Sequence, residues 1–374
     1  MTFEQGPIRP PSEAESLLVR VNRNCPWNQC MFCPVYKGTR FSRRSKEEIK
    51  QDIAAMKKAA DTVRAMAQKQ GSGGTITRET LDIAYRQDPS LLQVALWLYR
   101  GGKNVFLQDA DSLVMPPRDL VEILTTIRQA FPSVQRVTTY ARSKTVDRRS
   151  VQELQQLKEA GLTRVHIGME TGHDPLLAYM RKGSDAEEHI RAGLKVKEAG
   201  LSLSEYIILG LGGQKLWREH ALDTAAVLNR IDPHYIRVRT LAVRGGIPLQ
   251  QEVESGQFQL MHDDDIVREE RLLLENLQGT GYFVSDHILN LLEEVEGKLP
   301  GDLPYMLGVI DRYLDLPDEQ RTNFRLGRRM GFYRRLQDLQ DRERFHQVES
   351  LLESIKREGR DPEDLLTRRR GQFV

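Results

Sequence analysis

Short apolar runs alternate with helix-patterned segments from residue 17 to residue 240. Each apolar run is followed by polar residues, which predicts a strand, and the longer segments between them predict helices. Strand and helix alternate six times, and the predicted strands are LLVRVN (17–22), NVFLQ (104–108), RVTT (136–139), RVHIG (164–168), SEYIILG (204–210) and YIRVRT (235–240). Because such alternation joins parallel strands through right-handed crossovers, it predicts an α/β fold, either an open doubly wound sheet or a barrel, complete or partial.

The first crossover carries clear helix boundary signals. Ser45, followed three residues later by Glu48, has the pattern of a capping box and predicts a helix from there to about Ala67. The glycine-rich stretch 71–74 ends that helix, and the residues after it again have helical composition. We therefore interpret the segment from about 68 to 100 as a helical insertion that lengthens the first crossover.

Beyond Gly246 the alternation stops and helices separated by Gly and Pro turns are predicted, near 263–278, 286–296, 303–315, 317–339 and 341–357. The chain is thus expected to divide into an N-terminal extension, a core that includes the insertion, a helical C-terminal region and a basic tail, at 1–16, 17–250, 251–360 and 361–374. The basic tail is expected to be frayed, because chain termini that nothing ties down are poorly ordered.

Composition narrows the class of protein. The 374 residues can bury a substantial core, so one main domain with appendages is expected. The sequence has no apolar run long enough to span a bilayer, and its first residues lack the basic-then-apolar order of a signal peptide. We therefore expect a soluble, cytoplasmic protein without a membrane partner.

The net charge of +2 is too small to indicate a nucleic-acid partner by itself. Five arginines nevertheless crowd one predicted helix near the C-terminus: Arg325, Arg328, Arg329, Arg334 and Arg335. They have two interpretations, a solvated or salt-bridged helix face or a site for RNA or phosphate.

All three cysteines of the chain lie within nine positions directly after the first predicted strand, at Cys25, Cys30 and Cys33. Their odd number and close spacing indicate a ligand loop in a reducing compartment rather than a disulfide framework. Three thiolates can bind three irons of a four-iron cluster and leave the fourth iron open. They can also bind zinc, with a histidine or water as the fourth ligand.

The cysteine loop resembles that of the radical S-adenosylmethionine (SAM) superfamily, Cys-x3-Cys-x-aromatic-Cys, with Phe32 as the aromatic residue. Its first gap, PWNQ, is one residue longer than usual. The segment HIGMETGHDPLLAYMRKG (166–183) is similar to a stretch of the branch that contains methylthiotransferases and the tRNA-modifying elongator catalytic subunit. For about residues 15–250 the resemblance implies a (β/α)6 partial TIM barrel, here followed by a helical C-terminal region.

The same resemblance implies several contacts to SAM. Glu170 is expected to contact the ribose or amino group, and Phe32 lies in the cofactor loop. Arg181 aligns with a basic residue near the SAM carboxylate, although it can equally be a helix-surface arginine. The segment YIILGLGG (206–213), which includes Gly210, is expected to receive the adenine on its backbone.

One departure from the family pattern follows the second strand, where QDADS (108–112) replaces the usual GGEP. Asp109 and Asp111 are the available acceptors for the ammonium group of SAM, and capping of the next helix is their competing role. After the third strand, Arg142 and Ser143 are further candidate contacts.

The function implied by the resemblance is reductive cleavage of SAM at a single four-iron four-sulfur cluster bound by Cys25, Cys30 and Cys33. The resulting 5′-deoxyadenosyl radical would abstract hydrogen from a small organic substrate, with a flavodoxin or ferredoxin as electron donor. Since no fourth cysteine is present, a tyrosine is the remaining candidate to quench a substrate radical: Tyr140, Tyr206 or Tyr235. A tRNA- or RNA-modifying radical SAM enzyme is one alternative, and a non-catalytic iron-sulfur or SAM-sensing protein is another.

Overall fold

The computed structural model describes residues 3–371 as an α/β fold with a mostly parallel sheet, in agreement with the predicted class of partial TIM barrel. Its strands are β1 (Leu17–Arg20), β2 (Asn22–Arg23), β3 (Ser42–Arg43), β4 (Asn104–Gln108), β5 (Arg136–Ala141), β6 (Arg164–Glu170), β7 (Ser202–Leu209), β8 (Tyr235–Thr240), β9 (Tyr282–Val284) and β10 (Gly297–Lys298). All six predicted strands are present, as β1 and as β4 to β8.

Helices occupy most of the remaining chain. They are α1 (Lys46–Lys69), α2 (Arg78–Gln87), α3 (Leu92–Tyr99), α4 (Pro117–Ala130), α5 (Ser143–Asp147), α6 (Val151–Ala160), α7 (Asp174–Tyr179), α8 (Ala186–Glu198), α9 (Gly213–Ile231), α10 (Pro248–Glu254), α11 (Asp263–Glu275), α12 (Leu303–Leu314), α13 (Asp318–Met330), α14 (Arg342–Arg357) and α15 (Pro362–Arg370). Short 3-10 helices span Pro11–Glu13, Pro89–Leu91, Ser112–Val114 and Leu336–Gln340. Between residues 3 and 371, none of the helices has both the length and the apolar character needed to cross a bilayer.

The chain forms two compact units. The first contains the residues up to Asn28, Gly38–Gly168 and Arg191–Leu203, and the second contains Gln29–Lys37, Met169–Ile190 and the chain from Ser204 onward. The division into extension, core, helical region and tail stays a prediction.

In the first unit, β1, β4, β5 and the start of β6 pair in parallel in that order. One face of these strands is apolar, with Val19, Leu107 and Val137 buried. The other face carries polar side chains such as Arg20 and Gln108, which lie opposite each other in register. Because successive strand residues point to opposite faces, this alternation separates a helix-covered side from a polar side.

The predicted helix start at Ser45 is confirmed. The Ser45 side chain accepts a hydrogen bond from the backbone of Glu48, and the Glu48 side chain accepts one from the backbone of Ser45. The insertion is helical, as predicted, and consists of α2 and α3. Trp97 of α3 fixes it to the sheet, since its indole nitrogen donates to the carbonyl of Asn104 at 2.8 Å.

In the second unit, β7, β8 and β9 pair in parallel, and β10 pairs antiparallel with β9. The pairing therefore continues beyond YIRVRT, where the strand series was predicted to end. β9 has three residues and β10 has two, too few to show a periodic pattern. Their position is decided by hydrogen bonds to β8 and to each other.

The helix predicted over 286–296 is wrong, because the structure has turns and irregular chain there. Arginine side chains of α13 bind the backbone carbonyls that helical amides would otherwise bind. Arg329 donates to the carbonyl of Leu289 at 2.7 Å, and Arg328 donates to those of Asn290 and Leu291 at 3.0 Å. Tertiary hydrogen bonds thus replace the helical ladder.

The arginine-rich segment is mostly salt-bridged rather than free for a ligand. Arg325 pairs with Glu363 at 2.7 Å, and Arg329 pairs with Asp263 at 2.9 Å. The predicted helix over 317–339 is too long, because α13 ends at Met330, where Gly331 adopts a φ of +82°. Arg334 and Arg335 therefore lie outside α13.

The expected fraying of the basic tail is wrong up to Arg370. This part forms α15, and the buried Arg370 guanidinium donates to Asp263 at 3.2 Å and to the carbonyl of Met261 at 3.1 Å. The last positions of the predicted tail, 372–374, lie outside the described residues.

Candidate cofactor site

The cysteine loop begins in the first unit with two asparagines in left-handed conformations, Asn24 at φ +69° and Asn28 at φ +48°. Asparagine tolerates this region better than most residues, so the sequence suits a tightly turned loop. Cys25 is half-buried, and its Sγ accepts a hydrogen bond from the backbone N–H of Asn28 at 3.4 Å. Hydrogen bonds to sulfur of this kind tune iron-sulfur sites.

Asp109, at the end of β4, anchors the start of this loop. Its carboxylate is buried and accepts from Arg20 Nε at 3.0 Å and from Arg20 Nη2 at 2.7 Å. The same Oδ2 atom accepts from the backbone N–H of Asn24 at 3.0 Å. A Cβ atom on Gly6 would lie 2.3 Å from Asp109 Oδ1, so the N-terminal segment also closes over this carboxylate.

Asp111 lies in a different environment, fully buried beside Thr145, whose hydroxyl donates to its Oδ2 at 2.5 Å. Burial raises the pKa of Asp111 to about 7, although Thr145 and Arg142 favour its charged form. Its Oδ1 has no hydrogen-bond partner among the described residues. Its side chain does not cap the 3-10 helix that follows it, so the capping role predicted as an alternative is absent there.

Arg142 and Ser143 follow β5 at the start of α5. The Arg142 guanidinium lies 4.9 Å from the ring centroid of Trp27, a residue of the cysteine loop in the same unit. Ser143 is buried. The first unit thus brings Arg142 close to the buried Asp111, with Ser143 next to Arg142 in the chain. The contacts of these three residues to SAM stay a prediction.

The second half of the cysteine loop belongs to the second unit, where Met31 is bound on both sides. Its N–H donates to the carbonyl of Met180 at 3.0 Å, and its carbonyl accepts from the N–H of Leu249 at 3.1 Å. Phe32 is buried in an apolar cluster that includes Met31, Met180 and Leu249, with Cys30 and Cys33 packed against it. The segment after β8 with the sequence GIPL (246–249) thus holds the loop in place through Leu249.

Glu170 ends β6 with a φ of +68° and forms an ion pair with Lys182 Nζ at 2.7 Å. Lys182 is buried, whereas the neighbouring Arg181 is exposed. The basic partner of Glu170 is therefore Lys182, which the sequence prediction missed because the family pattern directed attention to Arg181. The signal that could have found it is the Arg-Lys pair itself, since adjacent residues cannot both face the same carboxylate.

A buried histidine fixes the residues that follow Glu170. His220 Nδ1 lies 2.8 Å from Thr171 Oγ1, and its Nε2 lies 3.0 Å from the carbonyl oxygen of Ile208. Burial lowers the pKa of His220 to about 4, so the ring is neutral at pH 7. The METG segment (169–172), which includes the last two residues of β6, is thus bound to α9 and to the end of β7.

Gly210, expected to lie against the adenine, adopts a φ of +80° directly after β7. Its N–H donates to Glu269 Oε2 at 2.5 Å. Burial raises the pKa of Glu269 to about 8, and the nearby Glu270 adds to the shift. This N–H therefore already has an internal acceptor, and the adenine contact of Gly210 stays a prediction.

A cavity of about 210 Å³ opens at the carboxyl ends of β7 and β8 in the second unit. Its wall includes Phe32, Cys33, Ile208, Arg239, His287 and Leu289. Asp286 bonds Arg239 Nη1 at 2.7 Å. Because ligands of parallel α/β folds bind at the carboxyl ends of strands, this cavity is a candidate ligand site.

The three candidate tyrosines occupy different positions on their strands. Tyr206 is buried in β7 beneath the Arg239 guanidinium, 4.8 Å from its ring centroid. Tyr140 lies near the carboxyl end of β5 and packs edge-on against Phe106 at 5.1 Å. Tyr235 is the first residue of β8, so it lies at the amino end of its strand, away from the ligand-binding end.

Comparison with known proteins identifies the family. The sequence model described as the radical SAM superfamily matches residues 19–225, more than half of the chain. The chain belongs to the radical SAM superfamily. Membership makes SAM and a four-iron four-sulfur cluster its cofactors and places it among radical SAM enzymes, with the reaction unspecified.

Curated relatives are distant. The chain is 22% identical to the heme chaperone HemW of Bacillus subtilis, a match that covers 60% of this chain and 64% of HemW. It is also 22% identical to the tRNA uridine(34) acetyltransferase of Methanocaldococcus jannaschii, over 31% of this chain and 21% of that protein. The chain thus spans less than two thirds of either relative.

Solved structures with a similar fold include Elp3 of Methanocaldococcus infernus, with a TM-score of 0.41 and 15% identity over 51% of each chain. Coproporphyrinogen III oxidase (HemN) of Escherichia coli has a TM-score of 0.44 and 15% identity over 70% of this chain and 52% of that one.

The donor chemistry of the loop fits the superfamily's cluster, since Cys25, Cys30 and Cys33 are half-buried and form no disulfide with one another. From residue 3 to residue 371, however, no three His, Cys, Asp or Glu side chains are already grouped around a common metal position. The assignment of the three cysteines as cluster ligands therefore stays a prediction.

Proposed function

We propose that this radical SAM protein cleaves SAM reductively and uses the resulting radical to abstract hydrogen from a small organic substrate. In this proposal Cys25, Cys30 and Cys33 bind the cluster. When bound, the cluster supplies one electron to SAM, which yields methionine and a 5′-deoxyadenosyl radical. The physiological electron donor is proposed to be a flavodoxin or a ferredoxin.

The observation that carries the proposal is the cavity of about 210 Å³ whose wall contains Cys33 and Phe32. It lies where a cysteine of the loop and the carboxyl ends of two parallel strands meet. Apart from Arg239, Thr240 and His287, its wall is largely apolar. An apolar wall of this kind suits the organic part of a ligand, which a few polar groups orient.

Several side chains of the chain have proposed roles in holding SAM. Glu170, with its charge balanced by Lys182 at 2.7 Å, is proposed to contact the ribose or amino group. Asp111 and Arg142 are proposed to bind the polar groups of the methionine part. Phe32 is proposed to pack against the adenine. The protein's contribution is to orient SAM and keep the site dry, while the cofactors supply the radical chemistry.

The test is to reconstitute the cluster anaerobically, reduce the protein with dithionite in the presence of SAM, and measure 5′-deoxyadenosine and methionine. Wild type is expected to form both, and Cys25→Ser, Cys30→Ser and Cys33→Ser are expected to form neither. Arg334→Gln is the control, because this side chain is 80% exposed and pairs only with Glu293 among the ion pairs found. An intact cluster that yields no 5′-deoxyadenosine refutes the proposal.

Action on RNA is a second candidate function, favoured by the match to the tRNA uridine(34) acetyltransferase. The arginines of α13 do not support it, because Arg325, Arg328 and Arg329 are used in internal ion pairs and carbonyl contacts. RNA binding that weakens steeply with salt would favour this candidate, and no binding at low salt would remove it.

A non-catalytic role is a third candidate, favoured by the match to the heme chaperone HemW. The 5′-deoxyadenosine assay separates it from the proposed function, because a binding protein would keep its cluster without turning SAM over. Heme titration, followed by the Soret band, would measure the binding activity directly.

A further inference from the structure

Two arginines of β8, Arg237 and Arg239, share one carboxylate. Asp286 accepts from Arg237 Nη1 through its Oδ2 atom and from Arg239 Nη1 through its Oδ1 atom, the latter at 2.7 Å. Arg237 and Arg239 are two residues apart on one strand, so they lie on the same face of it. Only Arg239 reaches the cavity that contains Cys33.

The Arg239 guanidinium has unused hydrogen-bonding capacity. Its Nη1 donates to Asp286 and to the carbonyl of Val238 at 2.8 Å, whereas its buried Nη2 has no hydrogen-bond partner among the described residues. The side chain as a whole is 14% exposed. A buried donor without an acceptor is costly. Nη2 itself has almost no surface open to solvent, so a ligand in the cavity meets the part of the Arg239 side chain that lines the wall.

The charges of this group do not balance. Arg237 and Arg239 carry two positive charges, and Asp286 carries one negative charge. His287, in the same wall, adds none at pH 7, because burial and the nearby Arg239 lower its pKa to about 4. One positive charge is therefore left over, which matches a monoanion such as a carboxylate better than a dianionic phosphate.

His287 provides a second polar contact. Its Nδ1 accepts a hydrogen bond from the N–H of Leu289 at 3.4 Å. In a neutral ring this leaves the proton on Nε2, so the imidazole can donate a hydrogen bond to a ligand. The remaining wall, which includes Phe32, Ile208 and Leu289, suits an apolar body attached to the anionic group.

The cavity limits the size of that ligand. Its 210 Å³ corresponds to the liquid volume of about seven water molecules, at about 30 Å³ each. A molecule of amino-acid size fits this space, and so does the corresponding end of a larger one.

We propose that this cavity binds a carboxylate-bearing organic molecule of amino-acid size, or that end of a larger molecule, with its carboxylate beside the Arg239 guanidinium. The assignment to a substrate rests on the proposed function, in which a small organic substrate is held next to the cofactors. Asp286 and Arg237 act as positioning residues, because they hold the Arg239 side chain without lining the cavity.

The probes for the test are butyrate and its neutral analogue butyramide, whose binding to the anaerobic, cluster-containing protein is measured by saturation-transfer NMR. Wild type is expected to bind butyrate about tenfold or more tightly than butyramide, because the neutral amide cannot form an ion pair with the guanidinium. Equal affinities in wild type would overturn the proposal without reference to any variant.

Variants locate the site. Arg239→Gln is expected to abolish the preference for butyrate, and Arg239→Lys is expected to keep part of it, since a lysine retains the charge but not the planar fork. Arg334→Gln, the same substitution at an exposed arginine, is expected to bind as wild type does. A preference that persists in folded Arg239→Gln would contradict the assignment, and circular dichroism checks that this variant folds.

A competition arm distinguishes the two possible sources of the carboxylate, a substrate and SAM itself. Butyrate binding that persists at saturating SAM supports a substrate, and displacement by SAM overturns the assignment to a substrate. The 5′-deoxyadenosine assay separates this inference from the proposed function. If SAM is cleaved but butyrate is not preferred, only the inference fails, and if butyrate is preferred but SAM is not cleaved, the proposed reaction fails.

Discussion

The carboxyl ends of β4 and β8 both carry buried charged side chains, but only one of them leaves a buried donor unpaired. Asp109, after β4, accepts three hydrogen bonds from Arg20 and Asn24 of the chain itself. Arg239, at the end of β8, leaves Nη2 without a partner beside a cavity. A saturated carboxylate stabilises a loop, whereas an unsaturated guanidinium beside free volume is suited to a ligand. The comparison shows that charge at a strand end does not by itself indicate a binding site.

The largest loss of stability expected from a single substitution is at Asp109. Asp109→Asn is expected to lower the free energy of unfolding by about 3 kcal/mol, because it removes the buried charge that pairs with Arg20 and leaves that mostly buried guanidinium only the less buried Glu4. Chemical denaturation measures the change. Asp61→Asn, at an exposed carboxylate paired with Lys57, is the matched control and should change stability by about 0.5 kcal/mol or less. Equal losses in the two variants would contradict the anchoring role.

The same variant also tests the predicted contact between Asp109 and the ammonium group of SAM. Equilibrium dialysis with SAM, at a temperature where Asp109→Asn is folded, measures the affinity. Unchanged affinity would show that Asp109 only anchors the loop. A loss of about tenfold would show that its carboxylate also binds the cofactor.

Asp111 is intermediate between the fully bonded Asp109 and the partly unpaired Arg239. One of its carboxylate oxygens accepts a hydrogen bond, and the other has no partner among the described residues. Its pKa of about 7 in the folded protein lies well above 3.8, the ordinary pKa of an aspartate. The neutral form therefore contributes stability that is present below about pH 4 and lost as the pH rises through 7. Wild type should lose on the order of 4 kcal/mol across this window from this group.

Asp111→Asn should remove this part of the pH dependence, since an amide does not ionise and its oxygen can still accept from Thr145. Urea unfolding at pH 5 and pH 8 measures it: the variant should gain on wild type at the higher pH. Asp61→Asn serves again as control. A constant difference between variant and wild type across the window would contradict the buried, neutral carboxyl.

The close packing around Gly172, after β6, predicts a smaller change in the free energy of unfolding. A Cβ atom on Gly172 would lie 2.5 Å from the carbonyl oxygen of Asp223 and 2.8 Å from Thr224 Cα, both backbone atoms. Gly172→Ala should therefore destabilise the protein by about 1–3 kcal/mol. Gly308→Ala should instead stabilise it by about 0.5–1 kcal/mol, because Gly308 lies inside α12 with space for a methyl group. Thermal melting measures the stability of both variants. A melting temperature that shifts in the same direction in both would contradict the close packing at Gly172.

The smallest effect concerns the cation near Glu170. Lys182→Met should weaken SAM binding by about tenfold, whereas Arg181→Met should leave it nearly unchanged, because the buried Lys182 pairs with Glu170 at 2.7 Å and Arg181 is exposed. The two substitutions are adjacent and chemically similar, so each controls for the other. A larger loss of SAM affinity in Arg181→Met than in Lys182→Met would support the contact that the family pattern predicts for Arg181.

Local signals in the sequence predicted the strands and the main features of the cofactor loop. Strand β4 begins and ends at the predicted residues, and the helix start at Ser45 forms the predicted capping box. The cysteine loop and the METG segment were found because their residues are close in sequence. Such features are set by residues that lie close together in the sequence, so a short stretch of sequence is enough to predict them.

The features that sequence missed depend on distant partners. The helix predicted over 286–296 does not form because Arg328 and Arg329 bind its carbonyls from about 40 residues away. The tail is ordered because Arg370 reaches Asp263. Arg239 was not singled out, because an unpaired Nη2 beside a cavity is a property of packing and not of a motif.

The central claim is that Cys25, Cys30 and Cys33 bind a cluster that receives SAM. Low-temperature EPR of the dithionite-reduced protein, recorded before and after SAM is added, tests it most directly. We expect the signal of a reduced four-iron cluster, with g values that shift when SAM binds the open iron. Stoichiometric zinc with no iron after anaerobic purification, or a cluster signal that SAM leaves unchanged, would contradict the claim.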